Sequence, residues 1–65
     1  MMDREARKVV AAMKTQKDAM TKIRSETEQV NALNNGVLTG IVGNYSKIID
    51  LIQENIDEFT RIAES

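Results

Sequence analysis

The chain has 65 residues, with ten acidic and nine basic side chains, a net charge of −1, and no cysteine, histidine or proline. A chain of this length forms one small domain with a thin core, and this one can hold neither a disulfide nor a zinc site built from Cys and His ligands. The near-neutral charge predicts no bulk attraction to nucleic acid or to anionic lipid.

Small domains usually gain stability from disulfides, a structural metal or association with other chains. Only association remains for this sequence, so we expect an oligomer. The first ten residues are polar and mixed in charge, unlike a signal peptide, and no apolar stretch approaches the ~18 residues of a membrane span. We therefore expect a soluble, cytoplasmic protein that does not contact a membrane.

The first predicted helix covers about residues 3–34, with the Asp3 carboxylate capping its first turn. Its apolar residues recur at alternating spacings of three and four, which indicates one stripe of an amphipathic helix. That predicted stripe consists of Ala6, Val9, Met13, Met20, Ile23 and Val30, with Gln16 and Thr27 at its two polar places. A capping-box pattern at residues 25–28 leaves open a break near Ser25, which would give a three-segment monomer. The helix formers on both sides favour a continuous helix.

The turn is predicted at about residues 35–39. Asn34, Asn35 and Gly36 are typical of a helix end, because Asn and Gly tolerate the left-handed backbone conformation found there. Thr39 is the predicted N-cap of a second helix that covers about residues 40–63.

Helix 2 carries the most regular pattern in the chain, an unbroken heptad repeat of apolar residues. We call these residues the helix 2 seam: Leu38, Val42, Tyr45, Ile49, Ile52, Ile56, Phe59 and Ala63. The residues Ile41, Ile48 and Ile62 widen it along one flank, as expected for a helix in a bundle. The opposite side is predicted to face solvent and holds Lys47, Asp50, Glu54, Asp57, Glu58, Arg61 and Glu64.

These elements predict an all-α fold, a two-helix antiparallel hairpin that assembles into a four-helix bundle or a larger helical oligomer. The Ala and Met residues of helix 1 offer too little surface to cover the wide apolar side of helix 2, and an uncovered patch of that size usually marks an interface. The predicted oligomer interface consists of Leu38, Val42, Tyr45, Ile48, Ile49, Ile52, Ile56, Phe59 and Ile62. Tyr45 needs a partner for its hydroxyl group, and Gln16 and a surface water are the candidates. We favour a tyrosine at the edge of the bundle over a polar contact that sets the register.

Helix 1 also carries basic residues at helical spacing. Arg7, Lys14, Lys17 and Arg24 are predicted to form a stripe that contacts an acidic protein partner or nucleic-acid phosphates. The sequence lacks stacking aromatics near this stripe, so nucleic acid is the weaker alternative.

No set of residues indicates catalysis, a cofactor or a metal site. The chain lacks His and Cys, and its cluster of carboxylates, Glu54, Asp57 and Glu58, lies on the predicted solvent side of helix 2. We therefore expect a small protein-interaction module, not an enzyme, that self-associates through helix 2 and docks a protein partner as a regulator or inhibitor. One alternative is a subunit or chaperone of a secretion or phage-type assembly. The other is a nucleic-acid-binding helical bundle.

Overall fold

The computed structural model describes residues 3–65 and contains two α-helices, α1 (Arg4–Leu33) and α2 (Thr39–Glu64), joined by a turn at residues 34–38. The helices pack against each other as a hairpin about 49 Å long. The all-α, two-helix hairpin predicted from the sequence is confirmed. Each predicted helix end, at residues 3, 34, 40 and 63, differs from the observed one by a single residue.

The first helix begins as its sequence predicts. A side-chain oxygen of Asp3 accepts a hydrogen bond of 2.8 Å from the backbone amide of Ala6, which satisfies one of the free donors of the first turn. From there α1 runs without interruption to Leu33. The alternative of a break near Ser25 was therefore wrong, and helix propensity outweighs the local capping-box pattern.

The turn between the helices contains two residues with left-handed backbone conformation, Asn35 at φ 59° and Gly36 at φ 79°. The Gly36 amide donates to the Asn31 carbonyl oxygen at 3.0 Å, the bond that characterises a Schellman helix end. The prediction of Thr39 as N-cap was wrong by one residue, because Leu38 caps α2 and Thr39 is its first helical residue. The Thr39 hydroxyl instead donates to the Gly36 carbonyl oxygen at 2.8 Å.

The core is thin, as the chain length predicts. Only Val10, Ile49, Ile52 and Ile56 are buried among residues 3–65, at 5% to 8% exposure. Met13, Met20 and Phe59 are partly buried and pack against this centre. The core therefore lies along the line of contact between α1 and α2, with one layer of side chains from each helix.

The face that α1 turns toward α2 differs from the stripe predicted from sequence. Its covered residues, which we call the α1 contact stripe, are Ala6, Val10, Met13, Lys17, Met20, Arg24, Thr27 and Asn31. Four of them belong to the predicted stripe. The other four lie one position further along the chain than the predicted Val9, Gln16, Ile23 and Val30, all of which are exposed.

The turn explains this rotation of α1. Asn31 accepts a hydrogen bond from the Leu38 amide through Oδ1 at 2.7 Å and donates through Nδ2 to the Thr39 hydroxyl at 3.1 Å. These bonds hold Asn31 against the start of α2. Residues seven positions apart share a face of the helix, so Arg24, Lys17 and Val10 face α2 as well.

Candidate interaction surface

The helix 2 seam contacts α1 within the same chain. All eight of its residues are buried or half-buried, and three of them, Ile49, Ile52 and Ile56, are the most covered residues of α2. The predicted flank is different, since Ile41, Ile48 and Ile62 are exposed at 40% to 58%. Of the predicted oligomer interface, therefore, Ile48 and Ile62 remain accessible in the hairpin. The predicted solvent side of α2 is exposed at every residue.

Tyr45 and Gln16 do not meet. Tyr45 is half-buried near the turn, whereas Gln16 is exposed on the flank of α1. The contact between Lys17 and Gln53 places this part of α1 about two to three turns of α2 away from Tyr45. Gln16 is therefore not the partner of the Tyr45 hydroxyl group, because the rotation of α1 leaves Gln16 on the exposed flank.

The four predicted contact cations are divided by the fold. Lys17 and Arg24 belong to the α1 contact stripe and are half-buried, whereas Arg7 and Lys14 are exposed. The Lys17 ammonium donates to Gln53 Oε1 at 2.6 Å, and Arg24 Nε lies 3.6 Å from Glu28 Oε1 and is shielded from solvent. In both side chains the methylene groups lie along the core and the charged group lies at the edge of the core, as is common for long basic side chains.

An open groove follows one side of the hairpin. Lys14 of α1 lines it together with Gln53 and Thr60 of α2, so these flanks of the two helices lie on the same side. Its remaining walls mix both signs of charge and consist of Ile56, Asp57, Arg61 and Glu64. This side of the hairpin is therefore mainly polar and faces solvent.

The other side of the hairpin is apolar. The flank of α1 opposite Lys14 carries Val9, Ile23 and Val30, and the flank of α2 opposite Gln53 carries the three isoleucines of the predicted flank. Since the Lys14 and Gln53 flanks share one side, these two flanks share the other. We call this surface the outer face; it consists of Val9, Ile23, Val30, Ile41, Ile48 and Ile62, each 40% to 58% exposed.

The residues of the outer face lie in pairs, one from α1 beside one from α2, and we call each pair a level. The contacts from Lys17 to Gln53 and from Asn31 to Thr39 fix which parts of α1 and α2 lie side by side. In that register the apolar pairs are Val9 with Ile62, Ile23 with Ile48, and Val30 with Ile41. A fourth level, between the first two, pairs the exposed amides of Gln16 and Asn55. Successive levels are two helical turns, or about 10 Å, apart.

Within residues 3–65, no group of three or more acidic side chains is arranged to hold a metal ion. Neither α1 nor α2 has the length and apolarity of a membrane-crossing helix. Comparisons with protein families, with curated proteins and with solved structures found no match to this chain. The candidate surface therefore rests on the geometry of the hairpin alone.

Proposed function

We propose that this protein is a non-enzymatic protein-interaction module that self-associates and docks a protein partner, acting as a small regulator or inhibitor of that partner. The observation that supports the proposal is the outer face, where six large apolar side chains lie on one side of a 65-residue hairpin. Contiguous apolar patches on small proteins usually mark an interface, whereas single exposed apolar residues do not.

The thin core supports the same proposal. Four buried side chains give little stabilisation to a folded monomer, and association is the usual remedy for a domain of this size. Self-association would cover apolar surface and leave the polar groove free, together with the charged side of α2. A protein partner would then dock on those charged and polar surfaces.

The alternative of an assembly subunit or chaperone uses the same apolar surfaces with a different geometry. It predicts open-ended growth with protein concentration in place of a closed oligomer of fixed mass. The alternative of nucleic-acid binding depends on the cations of α1. Lys17 donates to Gln53 of α2, and Arg24 is half-buried and paired with Glu28 of α1. That alternative therefore retains Arg7 and Lys14 from the predicted stripe, and it is the weaker of the two.

The experiment that tests the proposal is the solution mass by light scattering after size exclusion, over a range of protein concentrations and at two salt concentrations. We expect a closed oligomer whose mass does not fall at high salt, because apolar association is not screened. A folded monomer at every concentration contradicts self-association, and a mass that keeps growing favours the assembly alternative. Addition of an RNA or DNA duplex at low salt tests the remaining alternative, which predicts binding that weakens steeply as salt is raised.

A further inference from the structure

We infer that the outer face binds the outer face of a second copy of this chain, with the two turns at the same end, to form a four-helix bundle. The inference rests on the self-association in the proposed function and assigns its surface, its polarity and its symmetry. This interface differs from one built from the helix 2 seam. The seam packs against α1 within each hairpin, whereas the outer face consists of one flank of α1 and one flank of α2.

The solvent-exposed area of the chain supports a second copy as the partner of the outer face. A folded monomer of 7.3 kDa is expected to expose about 4,200 Å², whereas the hairpin exposes 4882 Å². The excess of roughly 700 Å² is close to the ~800 Å² that each partner buries in an interface of standard size. Burial of an interface of that size would bring the exposed area of each chain to about the value expected for a folded monomer of its mass.

The charge pattern of the two flanks distinguishes a buried surface from a solvated one. The positions of the outer face and its amide level carry no charged side chain: Val9, Gln16, Ile23, Val30, Ile41, Ile48, Asn55 and Ile62. Along the opposite flank of α1, three of the four equivalent positions are charged, Arg7, Lys14 and Glu28, and the fourth is Thr21. The opposite flank of α2 is uncharged but polar, with Ser46, Gln53 and Thr60. Flanking positions of solvated helix pairs are usually charged, and loss of charge is the signature of an interface core.

The level formed by Gln16 and Asn55 determines whether the two turns of the dimer lie at the same end or at opposite ends. With the two-fold axis parallel to the helices, both turns lie at one end and each level meets the same level of the partner. Gln16 and Asn55 then face Asn55 and Gln16 of the second copy, where amides can hydrogen-bond to amides. With the turns at opposite ends and the full face in contact, the amide level would meet the level of Ile23 and Ile48. That arrangement buries polar groups against isoleucine at a cost of ~1–3 kcal/mol per unsatisfied group.

In the same-end arrangement α1 of one copy lies beside α2 of the other. Ala19, next to the outer face on α1, then lies at the level of Leu51 on α2 of the partner hairpin. Leu51 is 57% exposed in the single hairpin. A large side chain opposite a small one allows two helices to approach and interdigitate, so the arrangement also covers Leu51.

The surface is tested by substitutions that place a charge on exposed positions of α1. Ile23→Glu lies on the outer face, and Thr21→Glu lies two residues away on the groove side of the same helix. Both replace a β-branched, exposed residue and change the net charge equally. We expect Ile23→Glu to raise the dimer dissociation constant ~100-fold or more with helicity kept, because the carboxylate is buried without a partner. Thr21→Glu should remain dimeric.

Ile48→Glu repeats the test on α2. The outcomes separate the two proposals: a monomeric natural chain contradicts self-association itself. Dimers of the natural chain that persist in both Ile23→Glu and Ile48→Glu overturn the outer face as the interface and leave self-association standing. A dimer formed by exchange of the helix 2 seam between chains would give that second result, because the exposed flank is then not needed.

The same-end arrangement is tested by the distance between spin labels attached to the two copies. The chain has no cysteine, so Gly40→Cys gives a single attachment point for a spin label near the turn. Nothing lies within 4 Å of a Cβ at Gly40, which faces away from the outer face, so the substitution should leave the bundle intact. Same-end packing predicts a label separation of about two helix diameters, ~20–25 Å. A separation near the 49 Å length of the hairpin overturns the same-end arrangement.

Discussion

Asn31 closes the hairpin by accepting a hydrogen bond of 2.7 Å through Oδ1 from the backbone amide of Leu38. Leu38 is the N-cap of α2 and has no side-chain oxygen to satisfy the amides of the first turn. Asn31, seven residues earlier, therefore satisfies a backbone donor at the start of α2 and orients the end of α1 toward it. One side chain thus fixes both the connection and the rotation of the helices.

Asn31→Ala should destabilise the hairpin more than its small loss of contact area suggests. The change removes the hydrogen bonds to Leu38 and Thr39, and we expect the free energy of unfolding to fall by ~1–2 kcal/mol. Urea denaturation followed by circular dichroism measures it at fixed protein concentration. Gln29→Ala is the control, since Gln29 is exposed and lies in the same part of α1. Equal effects of the two substitutions would show that the hydrogen bonds of Asn31 do not stabilise the turn.

The fold of this chain was predictable because its local signals agree. The Asp3 cap, the helix end at Asn34 and Gly36 and the heptad repeat of helix 2 each depend on neighbouring residues, and each lies within one residue of its predicted place. The rotation of α1 was not predictable from its own apolar spacing. Two stripes share Ala6, Met13, Met20 and Thr27, and the one that continues through Val9, Ile23 and Val30 is the more apolar, so the sequence favours it.

The choice between those stripes depends on a tertiary contact, the bond from Asn31 to the start of α2. The predicted stripe follows the apolar residues of α1. The turn instead orients Lys17 and Arg24 toward α2, and their side chains have enough methylene groups to line the edge of the core. The same rotation exposes Val9, Ile23 and Val30. The apolar spacing of the sequence assigns these three residues to the contact between the helices, so the sequence alone does not predict the outer face.

Ile52→Asp should abolish folding. Ile52 is 7% exposed and belongs to the apolar core cluster with Val10 and Ile56, where a charged carboxylate would lose its hydration. We expect loss of helical circular dichroism and of any oligomer together. Glu54→Ala, on the exposed side of α2, should leave the unfolding free energy within about 0.5 kcal/mol. Normal helicity in Ile52→Asp would contradict the placement of the core.

The glycines should respond to alanine with opposite signs. Gly43 lies within α2 with nothing within 4 Å of an added Cβ, so Gly43→Ala should raise the free energy of unfolding by ~0.5–1 kcal/mol. Gly36 has φ +79°, which L side chains rarely adopt, and Gly36→Ala should lower it by about 1 kcal/mol or more. Thermal denaturation of the two variants provides the comparison. A gain in stability for Gly36→Ala would contradict the left-handed conformation of the turn.

Lys17→Met tests whether the polar residues between the helices stabilise the hairpin or specify its register. The Lys17 ammonium bonds Gln53 Oε1 at 2.6 Å, but Gln53 also donates to Asp57 Oδ1 at 2.8 Å and remains in contact with solvent. Its amide therefore stays satisfied after the substitution, and the methionine can fill the same length of core edge. Removal of one partner of a buried pair is costly when it leaves an unpaired charge, but Gln53 is uncharged and half-buried, so Lys17→Met leaves none. We expect the free energy of unfolding to stay level or to rise by up to ~1 kcal/mol, as measured by urea denaturation.

Lys14→Met is the matched control, because Lys14 is exposed on the groove side of the same helix and should change stability little. If Lys17→Met instead loses more than about 1 kcal/mol, the bond to Gln53 stabilises the fold directly. If stability is kept, the reason for a lysine at this position lies in specificity. A basic residue between Met13 and Met20 in the α1 contact stripe disfavours a slide of α1 along the helix 2 seam, because the ammonium would lose its acceptor Gln53. A slide by one heptad would offer it only the shorter side chain of Ser46 or Thr60.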